Sequence, residues 1–150
     1  MATLGTFVSG QVLTAAELND IGTWTSFTPV FTNFTLGNGS VDARYCQIND
    51  VVLVSGRITL GSTSSVSGRI DINYPVGFQV SSQGFNGTVR YTDTGTASSA
   101  GWLVLYTTTF GFQVLNAAGT YVSPASTSAT VPHTWAATDF IDFTMWYQKA

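Results

Sequence analysis

The chain has 150 residues, of which 44% are hydrophobic and only 9% charged, with a formal net charge of −3. That length gives room for one domain with a real core, and two would be cramped. The five cationic residues, Arg44, Arg57, Arg69, Arg90 and Lys149, are scattered singly, which excludes the clustered cations that a nucleic-acid backbone requires.

An ordinary soluble domain carries about 25% charged residues. Here Thr, Ser, Gly and Asn supply the polarity instead, beside 13% aromatic residues. A surface so poor in charge is weakly protected against association, and it points to a protein packed in an oligomer or a larger assembly. A secreted β-domain with a Ser/Thr-rich surface is the alternative. The first residues show neither a cationic flank nor an apolar run of leader length. No window approaches the roughly 18–20 apolar residues of a membrane span, so no membrane partner is expected. Cys46 is the single cysteine; flanked by Tyr45 and Gln47 on an expected strand, it reads as a small buried hydrophobe.

In chain order, "FVSGQVLTAAELND" (7–20) contains the first element. Thr14 can cap a helix with Glu17 three residues on, Leu13 can staple to Leu18, and Gly22 can stop it. The spacing predicts a helix over 14–21, too short to hold itself in water, so something must pack on it. Residues 1–22 are read as a docking arm and 23–150 as a β-sandwich domain.

After Gly22, Trp24, Phe27, Val30, Phe31 and Phe34 alternate with Thr, and Pro29 argues for an edge or a bulge. "VDARYCQI" (41–48) and "VVLVSGRITL" (51–60) flank Asn49-Asp50, a two-residue hairpin signal. In the second of these, Val52, Val54, Ile58 and Leu60 share a face with Gly56 among them. "FTLGNGSV" (34–41) is echoed by "ITLGSTSSV" (58–66), a recurring turn rather than a repeat architecture. "SGRIDINYP" (67–75), "NGTVRYTD" (86–93), "GWLVLYTTT" (101–109), "FGFQVL" (110–115) and "DFIDFTMWYQ" (139–148) continue the alternation. The last places Ile141, Phe143, Met145 and Tyr147 on one face. Phe140, Asp142, Thr144 and Trp146 fall on the other, which is aromatic for a solvated side. Eight or nine strands at such spacing predict an all-β fold, an antiparallel β-sandwich related to the jelly roll, with a short N-terminal helix. Breaks near 81–86, 93–100 and 116–137 are the loops where binding would sit.

The residues offer no catalytic constellation, and the chain is read as non-enzymatic. His133, the one histidine, follows a proline in a loop, and Asp139 and Asp142 are three apart on an expected strand, hence on opposite faces. Eight acidic residues spread singly make no calcium loop, and neither a metal nor any other cofactor is expected. "GNG" and "GFNG" are hairpin glycines rather than phosphate cradles. The sequons at Asn33, Asn38 and Asn86 read as turn chemistry. Among the aromatics Trp102, Trp135, Trp146, Tyr91, Tyr106 and Tyr121, most are expected in the core or an interface. Trp135 and Tyr121 lie in loop-like segments and are the candidates for a glycan or receptor contact.

"FVSGQVLTAAELN" (7–19), followed by "TWTSFTPVFTNFTLGNGSVDARYCQINDVVLVSGRITLGSTSSVSGRIDINYPV" (23–76), resembles a module of tailed bacteriophages, in particular the minor tail, tail-fibre or capsid decoration proteins of phages that infect actinobacteria. The order of the opening segment, the "LGNGSVDARY" turn and the "GRITLGSTSSVSG" hairpin carries the resemblance, which covers about half of the chain. It implies a non-enzymatic virion structural protein, made in the bacterial cytoplasm and located on the particle surface. It also implies a homotrimer and contacts with other virion proteins, the major capsid or tail proteins. Fibre proteins carry such a module after a long shaft, whereas here it starts near residue 7. That fits a decoration on the capsid or tail tip that stabilises the particle or aids host adhesion. Phe7, Val12, Leu13 and Leu18 of the arm are the expected docking residues, and a glycan-binding receptor module of a tail fibre is the alternative.

Overall fold

The computed structural model describes residues 10, 12, 14–16, 21–75 and 84–150. These contain ten strands: β1 (Thr25–Ser26), β2 (Phe31–Thr35), β3 (Ser40–Ile48), β4 (Val51–Thr59), β5 (Ser65–Asn73), β6 (Gly84–Asp93), β7 (Ala97–Leu105), β8 (Thr109–Asn116), β9 (Ser123–Ser126) and β10 (Phe140–Gln148). Every strand pair is antiparallel.

Alternation explains the longest elements. Val52, Val54 and Ile58 of β4 and Ile141, Phe143, Met145 and Tyr147 of β10 are all buried, and the strands pair over their full length from Phe140↔Thr59 to Gln148↔Val51. Each of the Val, Ile, Phe and Met side chains contributes roughly 1.5–3 kcal/mol on burial. The β3–β4 hairpin closes through Asn49 and Asp50, with Ile48 opposite Val51. Asn49 takes the left-handed conformation (φ 52°), which asparagine tolerates better than most residues.

The strands follow one another as β1-β3-β4-β10-β6-β7-β8-β5-β2, with β9 added on β8. The two ends of this path, β1 and β2, are joined by residues 27–30 alone, and β2 passes into β3 through the turn at 36–39. The sheet therefore curls back on itself. Its ends are tied by Phe27 N–H donating to the Ala43 carbonyl (2.9 Å) and Asn73 N–H donating to that of Val30 (3.2 Å). The interior is aromatic: Phe110 and Phe112 of β8 meet Phe143 of β10 at 5.8 and 5.5 Å, although two strands stand between β8 and β10 in the sheet. Tyr74 meets Tyr147 at 4.7 Å.

The echoed turns lie side by side. Asn38 N–H donates to Thr63 Oγ1 (2.8 Å), Thr63 N–H donates to Asn38 Oδ1 (2.9 Å), and Ser64 Oγ donates to the Leu36 carbonyl. A Cβ at Gly61 would collide with Asn38 and one at Gly37 with Thr63, so the glycines permit the close approach. The other two sequon asparagines are likewise engaged: Asn33 (φ 59°) sits at the β2 bulge and donates to the Arg69 carbonyl, and Asn86 donates to that of Trp146.

The structure departs from expectation at two element ends, with β6 starting at Gly84 inside the expected 81–86 break and residues 106–108 linking β7 to β8 rather than extending a strand, and in three larger respects. Ala97–Ala100, read as part of a break, pairs with Arg90–Asp93 as the first part of β7; cross-strand pairing overrides the weak strand preference of Ser and Ala. β9 occupies part of the expected 116–137 loop, so the strands number ten rather than eight or nine. The third concerns the expected helix over 14–21: Ala15 and Ala16 are helical but form no helix element, and 17–20 lie outside the described residues.

Candidate functional site

Pairing across β3, β4, β10 and β6 builds the outer face in rows. One row reads Asp42, Arg57, Asp142, Arg90, alternating in charge across four strands. Asp142 is the hub. Arg57 donates to both of its oxygens (Nε–Oδ1 2.6 Å and NH2–Oδ2 3.0 Å), and Arg90 donates to Oδ2 at 2.6 Å. Hydrogen bonding from Arg57, reinforced by Arg90, holds the Asp142 carboxyl below its ordinary range against the opposing effect of burial, and the same bond pushes Arg57 up. Both guanidiniums lie near the Phe140 ring, at 4.4 and 5.5 Å from its centroid. They remain open to solvent, with side chains 52% and 55% exposed.

The next row is made of hydroxyls: Ser55, Thr144 and Thr88, with Arg44 at one end and Trp102 at the other. Over it lies an open depression of about 380 Å³, walled by Arg90 and Asp142. The third row is apolar, Cys46, Leu53 and Trp146. Trp146 is 53% exposed and follows Thr144 on the same strand face, roughly 7 Å further along. Cys46 is buried beneath Gly22, whose α-carbon region lies against the Cys46 Sγ and Ile48 Cδ1, and burial pushes its thiol up. Trp24, one residue before β1, continues this apolar end with Ile21, Ile48 and Val51, all exposed.

The residues read from sequence fall elsewhere. Tyr121 is 83% exposed beside exposed Val122. Trp135 is partly buried against the core, edge-on to Tyr91 at 6.0 Å, with its indole N–H donating to the Ser128 carbonyl at 2.8 Å. It is thus distant in role from Tyr121, and the structure does not bring the two together in one hydrogen-bonded or stacked group. Val12 is 85% exposed, while Phe7, Leu13 and Leu18 lie outside the described residues. Asp139 is buried apart from Asp142; it accepts from Thr94 N–H (3.0 Å) and Ala136 N–H (2.8 Å), with His133 Nε2 at 3.5 Å. A second arginine–carboxylate pair, Arg69 with Asp71, is bidentate and extends to the Tyr106 hydroxyl. Among the described residues there is no group of three or more His, Cys, Asp or Glu placed to hold a metal, and no helix long and apolar enough to cross a membrane.

Sequence reasoning did not single out the row centred on Asp142. Alternation already placed Asp142, Thr144 and Trp146 on one face of the last strand, but their partners Arg57, Arg90, Ser55 and Thr88 depend on register between distant strands. No family model, curated protein or solved structure matches the chain.

Proposed function

We propose that this chain is a non-enzymatic bacteriophage virion structural protein, a homotrimeric decoration protein on the capsid surface or tail tip that stabilises the particle or aids host adhesion. The observation that carries the reading is the exposed apolar end formed by Ile21, Trp24, Ile48 and Val51, in a chain with only 9% charged residues. Clustered exposed apolar side chains mark contact surfaces, and Ile21 and Trp24 stand just before β1 while Ile48 and Val51 pair across the β3–β4 hairpin. The curled sheet is read as a sandwich of the jelly-roll kind, because β8 and β10 face each other across the aromatic core. The phage assignment rests on the resemblance of residues 7–19 and 23–76.

Two measurements test it. Light scattering should give a mass three times the 16.0 kDa of the chain, and Ile48→Asp should lower it; a concentration-independent monomer overturns the trimer. Labelling of purified particles of the encoding virus should place the protein on their surface, and its absence from them overturns the virion role.

A second reading, a receptor-recognition module that binds host surface glycan, is favoured by the hydroxyl-floored depression lined by Arg90 and by the exposed Trp146 further along the same face of β10. The two readings are compatible, since the apolar end and the depression are different parts of one face.

A further inference from the structure

We infer that the depression over Ser55, Thr144 and Thr88 is a subsite for one acidic sugar unit of a polysaccharide, with Arg90 as its anion contact and Trp146, beyond the lining on the same face of β10, as the aromatic contact for the adjoining unit. The inference deepens the receptor-module reading and rests on it.

Its first support is a surplus of donors. A guanidinium carries five N–H donors, and of those on Arg90 the described hydrogen bonds commit one, to Asp142. Asp142 is already engaged by Arg57 through two bonds, so Arg90 adds positive charge to a carboxylate that is already paired. Across the sheet its neighbour on β7 is Ala100, which brings no competing acid, whereas Arg57 has Asp42 opposite on β3. An oxyanion entering the depression therefore meets Arg90 as an open, fork-shaped partner suited to two parallel hydrogen bonds.

Its second support is the floor. Ser55, Thr144 and Thr88 present small hydroxyl side chains in one row across three neighbouring strands; Thr144 Oγ1 donates to the Val54 carbonyl (3.4 Å) and is left as an acceptor, while a hydroxyl such as that of Ser55 or Thr88 can donate and accept. A simple inorganic anion would leave most of them unused. Alternating sugar hydroxyls match them.

The third is the neighbouring ring. Trp146 lies outside the lining of the depression but stays half-exposed two residues beyond Thr144 on the same strand face, in a protein whose core rings are almost fully buried. An indole face suits the C–H side of a pyranose. The volume of about 380 Å³ lies at the small end of ligand sites, which span roughly 300–1,000 Å³, so the depression takes one unit of a longer chain. A neutral sugar would meet Arg90 only through hydroxyl oxygens, without the paired charge-assisted bonds of a carboxylate, and a nucleic acid would need more cations than this face offers.

The test is titration of the full chain with hexagalacturonate, with its fully methyl-esterified uncharged form and with inorganic phosphate, followed by tryptophan fluorescence and by calorimetry. Saturable binding of hexagalacturonate is expected, weaker by tenfold or more for the ester and for phosphate. Arg90→Gln and Trp146→Ala should each weaken it by tenfold or more without changing the solution mass, while Tyr121→Ala should leave it unchanged. Equal binding of the ester, or of phosphate alone, overturns the acidic-sugar assignment. Binding that survives both Arg90→Gln and Trp146→Ala overturns this subsite but leaves glycan recognition elsewhere on the chain standing. No saturable binding of hexagalacturonate by the unaltered protein overturns the subsite, and the assembly role is then judged on mass and particle location alone.

Discussion

The Phe143 ring occupies the space that a side chain at Gly56 would need. The two are cross-strand partners on β10 and β4, and a methyl group at Gly56 would lie 2.6 Å from Phe143 Cζ. Gly56 interrupts an otherwise unbroken inward series of Val52, Val54 and Ile58 because that ring comes from the neighbouring strand. Phe143 in turn reaches Phe110 and Phe112, so the glycine sets the depth at which the aromatic centre of the protein packs.

Gly56→Ala should accordingly destabilise the fold by about 1–3 kcal/mol, the usual cost of overpacking a core, rather than gain from replacing a strand glycine. Thermal melts of Gly56→Ala, Phe143→Leu and the double variant measure it. The double variant should lose less than the two single losses added, because the smaller side chain relieves the clash.

Asp142 gives the fold an acid-sensitive component. Its carboxyl is held low by Arg57 first and Arg90 second, so the folded chain binds that proton less readily than the unfolded one. The contribution is complete above the ordinary aspartate value of about 3.9 and is lost as pH falls through the lower folded value. Solvent exposure of the arginines keeps it modest. Asp142→Asn should lower Tm by a few degrees at pH 7, and the gap from the unaltered protein should narrow as pH drops below about 4. A gap of constant size down to pH 2 would contradict this account.

Asp139 should matter more to stability than Asp142, although it touches no candidate ligand. It is buried, and it anchors the turn after β6 through Thr94 and the turn before β10 through Ala136. Asp139→Ala removes the acceptor of two N–H groups on exposed turn residues, at about 0.5–1.5 kcal/mol each. Chemical denaturation should show a loss on that order.

Cys46 should be slow to react in the native protein. Its thiol is nearly inaccessible and pushed up by burial, and the thiolate is the reactive form. Labelling with a thiol reagent should be slow at pH 7.5 and immediate in denaturant. Fast native labelling would mean that the cover provided near Gly22 opens readily.

Alternation made the inward faces of β4 and β10 legible, since a period of two depends only on neighbours in sequence. Asn49-Asp50 marked its hairpin for the same local reason. The echo of 34–41 in 58–66 was visible too, but that the two turns interlock through Asn38 and Thr63 depends on β2 and β4 leading into strands at opposite ends of the sheet. The Asp142 row was hidden because Arg57 and Arg90 are 85 and 52 residues away in sequence. β7 was obscured at its start because Ala97–Ala100 owes its strand to β6 rather than to its own composition.

The arrangement at the margins of the sheet limits how this protein can join others. β1 has two residues, β9 four, and β2, the other end of the strand path, five with a bulge, while the segment at 27–30 is hydrogen-bonded to Ala43 of β3 and Asn73 of β5. Backbone groups free to accept a foreign strand are correspondingly few among the described residues, and recruitment of a neighbour by extending the hydrogen-bond ladder is disfavoured. Copies or partners must instead recognise this molecule through side chains presented on its faces. Specificity is then written in surface residues that can diverge freely, while the scaffold beneath them stays the same.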